Sequence, residues 1–234
     1  MKRSFINFAF FVMFSLCLIP SLNAGGFQEG YSGSSRNLQE YRTRFTEVMN
    51  DEVFDEMADG SSLDAQSWYG TYAGSPHTLQ VFRNRYNEIK NDRDFNAIAA
   101  VVNIGNDTFF GSYASSRNTL VVFRNRFREI MNDQEFAALA RQANIGPEVY
   151  FGLYAGSQNT LQVFKTRFNE IVNDRDFIAL AAGTPPRNVI IWAGAYAASQ
   201  NTLAVFRNRF REIMNDSAFN TLAGRTSAGA AFYY

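Results

Sequence analysis

Cysteine and histidine are almost absent from this chain, and neither sign of charge prevails. The single cysteine, Cys17, lies in an apolar amino-terminal run, and the single histidine is His77. Residues 1–24 place Lys2 and Arg3 before the apolar stretch Phe5 to Ile19, then Pro20 and Ala24, the order of a secretory signal. The apolar stretch is short for a retained anchor, since a spanning helix needs about 20 residues. The expected mature chain, residues 25–234, is therefore secreted, periplasmic or extracellular, has no membrane span and carries no thiol. That excludes a disulfide, a cysteine nucleophile and a thiolate metal site, and leaves stability to packing alone. Lysine plus arginine number 22 against 22 acidic residues, or 20 against 22 once Lys2 and Arg3 are removed. This balance argues against bulk electrostatic capture of nucleic acid.

Against these absences stand 23 Phe and 11 Tyr. Many of them recur: Tyr41, Phe82, Phe123, Phe164 and Phe206 are spaced 41, 41, 41 and 42 residues apart. Each heads one string, Tyr41-Arg-Thr-Arg-Phe45, Phe82-Arg-Asn-Arg-Tyr86, Phe123-Arg-Asn-Arg-Phe127, Phe164-Lys-Thr-Arg-Phe168 and Phe206-Arg-Asn-Arg-Phe210, with a glutamate two residues beyond it. A fixed period of this size marks stacked supersecondary units.

Three helices fit within the period. Leu120, Phe123, Phe127, Ile130 and Met131 follow one face of a long helix, and Leu79, Phe82, Tyr86 and Ile89 repeat the pattern. Ser75-Pro76, Ser157 and Ser199 mark its start, with Ser or Asn as cap and proline in the first turn. Gly74 and Gly156 suit the left-handed end of a preceding helix. An Asn-Asp pair ends the long helix in every unit: Asn50-Asp51, Asn91-Asp92, Asn132-Asp133, Asn173-Asp174 and Asn215-Asp216. The Asn is expected to cap a short helix carrying Phe95, Phe136 or Phe177. Calcium ligation by these pairs would need a closely spaced acidic loop, which is absent. A third helix is signalled by Trp68 to Tyr72, Phe109 to Tyr113, Tyr150 to Tyr154 and Trp192 to Tyr196. Each string has a central glycine that admits a close neighbour, and Pro147 and Pro185-Pro186 fit the amino end. The expected fold is all-α, a right- or left-handed α-solenoid-like array of five three-helix repeats. Its units span about 27–67, 68–108, 109–149, 150–191 and 192–234.

The ends carry their own signal. Phe27 and Tyr31 fall in third-helix register just after the expected cleavage point, and the chain stops at Tyr233-Tyr234 as another third helix would begin. Such matched ends suggest head-to-tail assembly of a homo-oligomer, or a tail that caps the array.

Residues that recur five times are poor candidates for a single catalytic centre. Two binding columns are candidates: the cations Arg83, Arg124, Lys165 and Arg207, suited to an anionic or glycan polymer, and the phenols Tyr72, Tyr113, Tyr154 and Tyr196. The second basic residue of each string has a glutamate at a helical neighbour position: Arg85 and Glu88, Arg126 and Glu129, Arg167 and Glu170, Arg209 and Glu212. These are expected to form a structural ladder between units. No catalytic group, metal ligand or cofactor is expected; Asp55, Glu56, Asp59 and Asp64 lie in the most divergent linker and read as a solvated loop. The sequence thus points to an exported, non-catalytic module that binds a protein or a polymer. The alternatives are a self-assembling surface or matrix protein and, third, an enzyme acting on an extracellular polymer.

Overall fold

The structure is a computed structural model, and it describes residues 26–59, 61, 64–143, 146–182 and 189–226. The expected signal (residues 1–24), Pro185-Pro186 and Tyr233-Tyr234 lie outside the described residues. Fifteen α-helices are seen, and no strand, among the described residues. The long helices are α2 (Leu38–Met49), α5 (Leu79–Lys90), α8 (Leu120–Met131), α11 (Leu161–Val172) and α14 (Leu203–Met214). Short helices follow each: α3 (Glu52–Ala58), α6 (Arg93–Ala99), α9 (Gln134–Gln142), α12 (Arg175–Ala181) and α15 (Ser217–Ala223). The third helices are α1 (Gly26–Gly33), α4 (Tyr69–Gly74), α7 (Phe110–Ser115), α10 (Phe151–Gly156) and α13 (Val189–Ala198). A 3-10 turn leads into α4, α7 and α10, with Pro147 in the first turn of the last of these. No helix among the described residues is long and apolar enough to cross a membrane.

The all-α repeat is as expected, and its caps are not those the sequence suggested. The long helices after the first begin at Thr78, Thr119, Thr160 and Thr202, whose hydroxyls accept from the backbone N–H three residues on. Asn37 does the same for α2. The serines instead close the third helices, Ser75, Ser116 and Ser157 each being the C-cap. At the Asn-Asp pairs the roles also differ from expectation. The Asn ends the long helix, with Asn91 and Asn132 Nδ2 donating to the carbonyl four residues back at 2.8 Å. The Asp caps the short helix, its carboxylate accepting from Phe95, Phe136 or Phe177 N–H at 2.5–2.6 Å. A carboxylate accepts that bond more strongly than an amide and also meets the positive end of the helix dipole.

Each third helix packs on the long helix that precedes it and on its own kind in the adjacent unit. The central glycines permit this, as expected. A Cβ on Gly194 would stand 2.6 Å from both Leu153 Cδ1 and Tyr150 Cδ1, and one on Gly152 would stand 2.9 Å from Phe109 Cδ1. Gly74 and Gly156 serve the same purpose, and no left-handed backbone is found there: a Cβ on Gly156 would lie 2.8 Å from Ser112 O. The aromatics of the three helices fill the space between layers in edge-to-face contacts, such as Phe109–Phe127 at 4.8 Å and Phe136–Phe168 at 5.5 Å.

The five units close into a ring. Helix α1 packs on α14, α13 and α4, so the inner helices run α1, α4, α7, α10, α13 and back to α1. Phe27 and Tyr41 meet Phe219 at ring-centroid distances of 6.5 and 5.8 Å, joining the two ends of the described chain. The matching phase of the ends thus has an intramolecular cause: α1 occupies the third-helix place that follows the last short helix. Head-to-tail joining of copies through these ends would require the ring to open.

Candidate functional site

The basic motif resolves into two separate devices, both between units. Its first cation reaches back to the Asp that caps the preceding short helix. Arg83 pairs with Asp51 at 2.9 Å, Arg124 with Asp92 at 3.1 Å and Asp94 at 2.8 Å, and Lys165 with Asp133 at 3.2 Å and Glu135 at 2.5 Å. Arg207 pairs with Asp174 at 3.1 Å and Asp176 at 2.9 Å, and Arg42 closes the circle on Asp216 at 3.2 Å. The hydrogen bond that the Lys165 ammonium donates to Glu135 raises its pKa above the ordinary lysine value. Those cations were candidates for gripping an anionic polymer; the structure places Arg83, Arg124, Lys165 and Arg207 mostly buried against carboxylates of their own chain.

The second basic residue of each string grips the next third helix through a tyrosine. Arg85 Cζ lies 4.1 Å from the centre of the Tyr113 ring, and its Nη2 donates to Tyr113 O at 3.0 Å, Ser116 Oγ at 3.2 Å and Asn118 O at 2.7 Å. Tyr113 OH donates to Glu88 Oε2 at 2.5 Å. The ladder expected to run directly from Arg85 to Glu88 therefore runs through the phenol, which takes the cation on its face and the carboxylate on its hydroxyl. Arg44–Tyr72–Glu47, Arg126–Tyr154–Glu129 and Arg167–Tyr196–Glu170 repeat it. Arg209–Tyr31–Glu212 repeats it across the ring closure. Tyr72, Tyr113, Tyr154 and Tyr196 are at most 1% exposed, so no phenol column faces solvent. Burial, then the bond to glutamate, pushes these phenols well above the ordinary tyrosine value.

A third set of inter-unit bonds circles one end of the inner helices. Asn118 Nδ2 donates to Ala155 O and Ser157 O at 2.8 and 3.0 Å, and Asn159 to Ala197 O and Ser199 O at 2.7 and 3.0 Å. Asn201 donates to Ser32 O and Ser34 O at 2.9 and 3.0 Å, again across the closure. Arg36 Nε and His77 Nε2 hold the same register, bonding Ser75 O at 2.8 Å and Ser116 O at 2.6 Å. Burial lowers the His77 pKa. His77 is thus a member of the collar, with a backbone carbonyl as partner.

Inside that collar the five inner helices enclose a central channel of about 260 Å³. Three residues of each helix set its wall. At the collar end stand Ser34, Ser75, Ser116, Ser157 and Ser199; above them come the small residues Gly33, Gly74, Ser115, Gly156 and Ala198, then Gly30, Thr71, Ser112, Leu153 and Ala195. Among the described residues Glu29 is the only ionisable group lining the channel. By repeat register its place belongs to glycine, the residue found at 70, 111, 152 and 194. The residue is partly exposed, its Oε1 is sealed from solvent, and no hydrogen bond or ion pair reaches its carboxylate among the described residues. Burial raises its pKa well above the usual carboxylate range, and those of Tyr41 and Tyr150 are raised first by their own burial and then by the Glu29 carboxylate. Sequence reading missed Glu29; the signal that would have found it is the break in the glycine column.

Two other features remain. Asp55, Glu56, Asp59 and Asp64 line a shallow surface hollow with Tyr69, whose hydroxyl donates to Asp55 at 2.7 Å. No cluster of three metal-ligating side chains occurs among the described residues. On the long helices Val81, Val122, Val163 and Val205 hold one register and are each 41–44% exposed, beside Val121. No family model, curated protein or solved structure matches the chain.

Proposed function

We propose that the protein is an exported, non-catalytic ring that binds a partner protein through the exposed face of its long helices. The observation that supports this most is the repeated valine of that face. The aromatic and basic side chains of the string are buried in a layer or tied to another unit, whereas Val81, Val122, Val163 and Val205, each one residue before it, recur and stay in solvent. With Val121 beside them they add exposed aliphatic surface to the long-helix face of four units, the kind of surface that partner proteins cover. Export rests on the order of charge, apolar run and small residue in residues 1–24. A polymer partner is less favoured, because the cations that would hold it already have carboxylate partners. The test replaces the four valines together by glutamate and compares binding to an extracellular protein fraction with that of the native ring. Retention that the variant loses at unchanged melting temperature supports the proposal, and equal retention by both sinks it.

A further inference from the structure

Glu29 keeps one carboxylate oxygen, Oε1, sealed from solvent with no hydrogen-bond partner among the described residues. A carboxylate oxygen held away from water without a partner costs free energy, and unsatisfied buried groups in native structures call for a cause outside packing. Packing does not ask for it here, since glycine fills the same register in the other four units. Helix geometry asks only for an acid in the first turn of α1, which a solvent-facing position would also have satisfied.

We propose that the central channel is a binding site for a small organic cation carrying a primary ammonium, seated against the Glu29 carboxylate. The chemistry follows from the wall. No basic side chain among the described residues lines the channel, so none of them competes for Glu29 or repels a cation there. An ammonium has three donors; Glu29 accepts one, and the hydroxyls of Thr71 and Ser112, one residue further along the wall in repeat register, are acceptors for the others. Gly156, Ala195, Ala198 and Leu153 offer a smooth apolar wall to a short carbon chain. A volume of about 260 Å³ falls below the range of roughly 300 Å³ and upward that larger ligands occupy, which limits the chain to a few carbons. A divalent metal ion does not fit, because one carboxylate cannot supply the roughly six oxygens it needs. The site is separate from the exposed valines, so failure of either proposal leaves the other standing.

The experiment is calorimetric titration of the mature ring with n-butylammonium chloride, with n-butanol as the uncharged match of similar length. Two variants accompany it: Glu29→Gly, which installs the residue of the other four units, and Glu29→Gln, which keeps the shape and removes the charge. The expected result is saturable binding of the ammonium with Kd of about 1 mM or below, and at least about tenfold weaker binding of butanol. Both variants, folded by circular dichroism, lose the ammonium by at least about tenfold. Three outcomes overturn the proposal: no saturation by the ammonium up to about 20 mM, equal binding of butanol, or undiminished binding by either folded variant.

Discussion

Arg209→Ala, measured beside Arg126→Ala, tests whether the ring is closed in solution. The two arginines hold the same register. Arg126 joins neighbouring units along the chain, with Nη2 on Tyr154 O and Ser157 Oγ at 3.1 Å and Cζ 4.1 Å from the Tyr154 ring. Arg209 joins the last unit to the first, with Nη2 on Tyr31 O at 2.9 Å, Ser34 Oγ at 3.1 Å and Arg36 O at 2.5 Å, and Cζ 4.0 Å from the Tyr31 ring. A bond from a charged donor contributes roughly 1.5–3 kcal/mol and a desolvated cation over an aromatic face roughly 2 kcal/mol. Because one guanidinium makes them all, they do not add, and about 3 kcal/mol is expected for each variant. In a chain of this length that lowers the melting temperature by about 6–12 °C. The assay is thermal and urea unfolding by circular dichroism, with amide exchange of Gly26–Gly33 as a local readout. Equal losses from the two variants, and protection of α1 matching that of α7, are expected of a closed ring. Arg209→Ala at native stability, while Arg126→Ala loses its full share, would refute closure.

The same register at two glycines gives opposite outcomes. Gly156→Ala sets a methyl 2.8 Å from Ser112 O and should cost about 1–3 kcal/mol by overpacking. Gly33→Ala meets nothing closer than Ala195 O at 3.4 Å and should be neutral or gain up to about 1 kcal/mol from helix propensity; urea midpoints decide both. Asp133→Ala removes a helix cap and the Lys165 partner together, so it should cost more than Lys165→Met, and the double-mutant cycle should give a coupling of about 0.5–1 kcal/mol. A Glu29 carboxyl whose folded pKa is raised binds its proton more tightly in the ring than in the unfolded chain. Its contribution is therefore complete below the ordinary glutamate value and is lost as pH rises through the folded value. Glu29→Gln should accordingly raise the melting temperature at pH 7 and leave it unchanged in mild acid; a gain equal at both would contradict the assignment. Above the ordinary tyrosine value of about 10, the raised phenols of Tyr72, Tyr113, Tyr154 and Tyr196 should ionise only as the ring unfolds. Tyrosinate absorbance appearing well before helix is lost would count against the buried arginine, tyrosine and glutamate arrangement.

The sequence by itself determined the repeat, its three helices and its layers, because these depend on periods that are written locally. A 41-residue spacing, a 3.6-residue apolar stripe at Phe123, Phe127 and Ile130, and a central glycine in the third helix need no partner to be read. The caps are less legible: Ser75, Ser157 and Ser199 stand three residues before the true caps Thr78, Thr160 and Thr202, and where Asn and Asp are adjacent only backbone direction tells which one faces the first N–H groups of the short helix. Tertiary structure alone decided what the polar residues do. Arg85 and Glu88 are helical neighbours in sequence, yet the group between them is Tyr113, 28 residues beyond the arginine, and no local pattern carries that contact. Closure is of the same kind. Matching phase at the two ends fits an open stack or a ring equally well, and the choice depends on the small rotation each unit adds, which sums to a full turn after five. Once the ring closes, five third helices face one another across a channel, and Glu29, one acid among 22, becomes the charge at its wall.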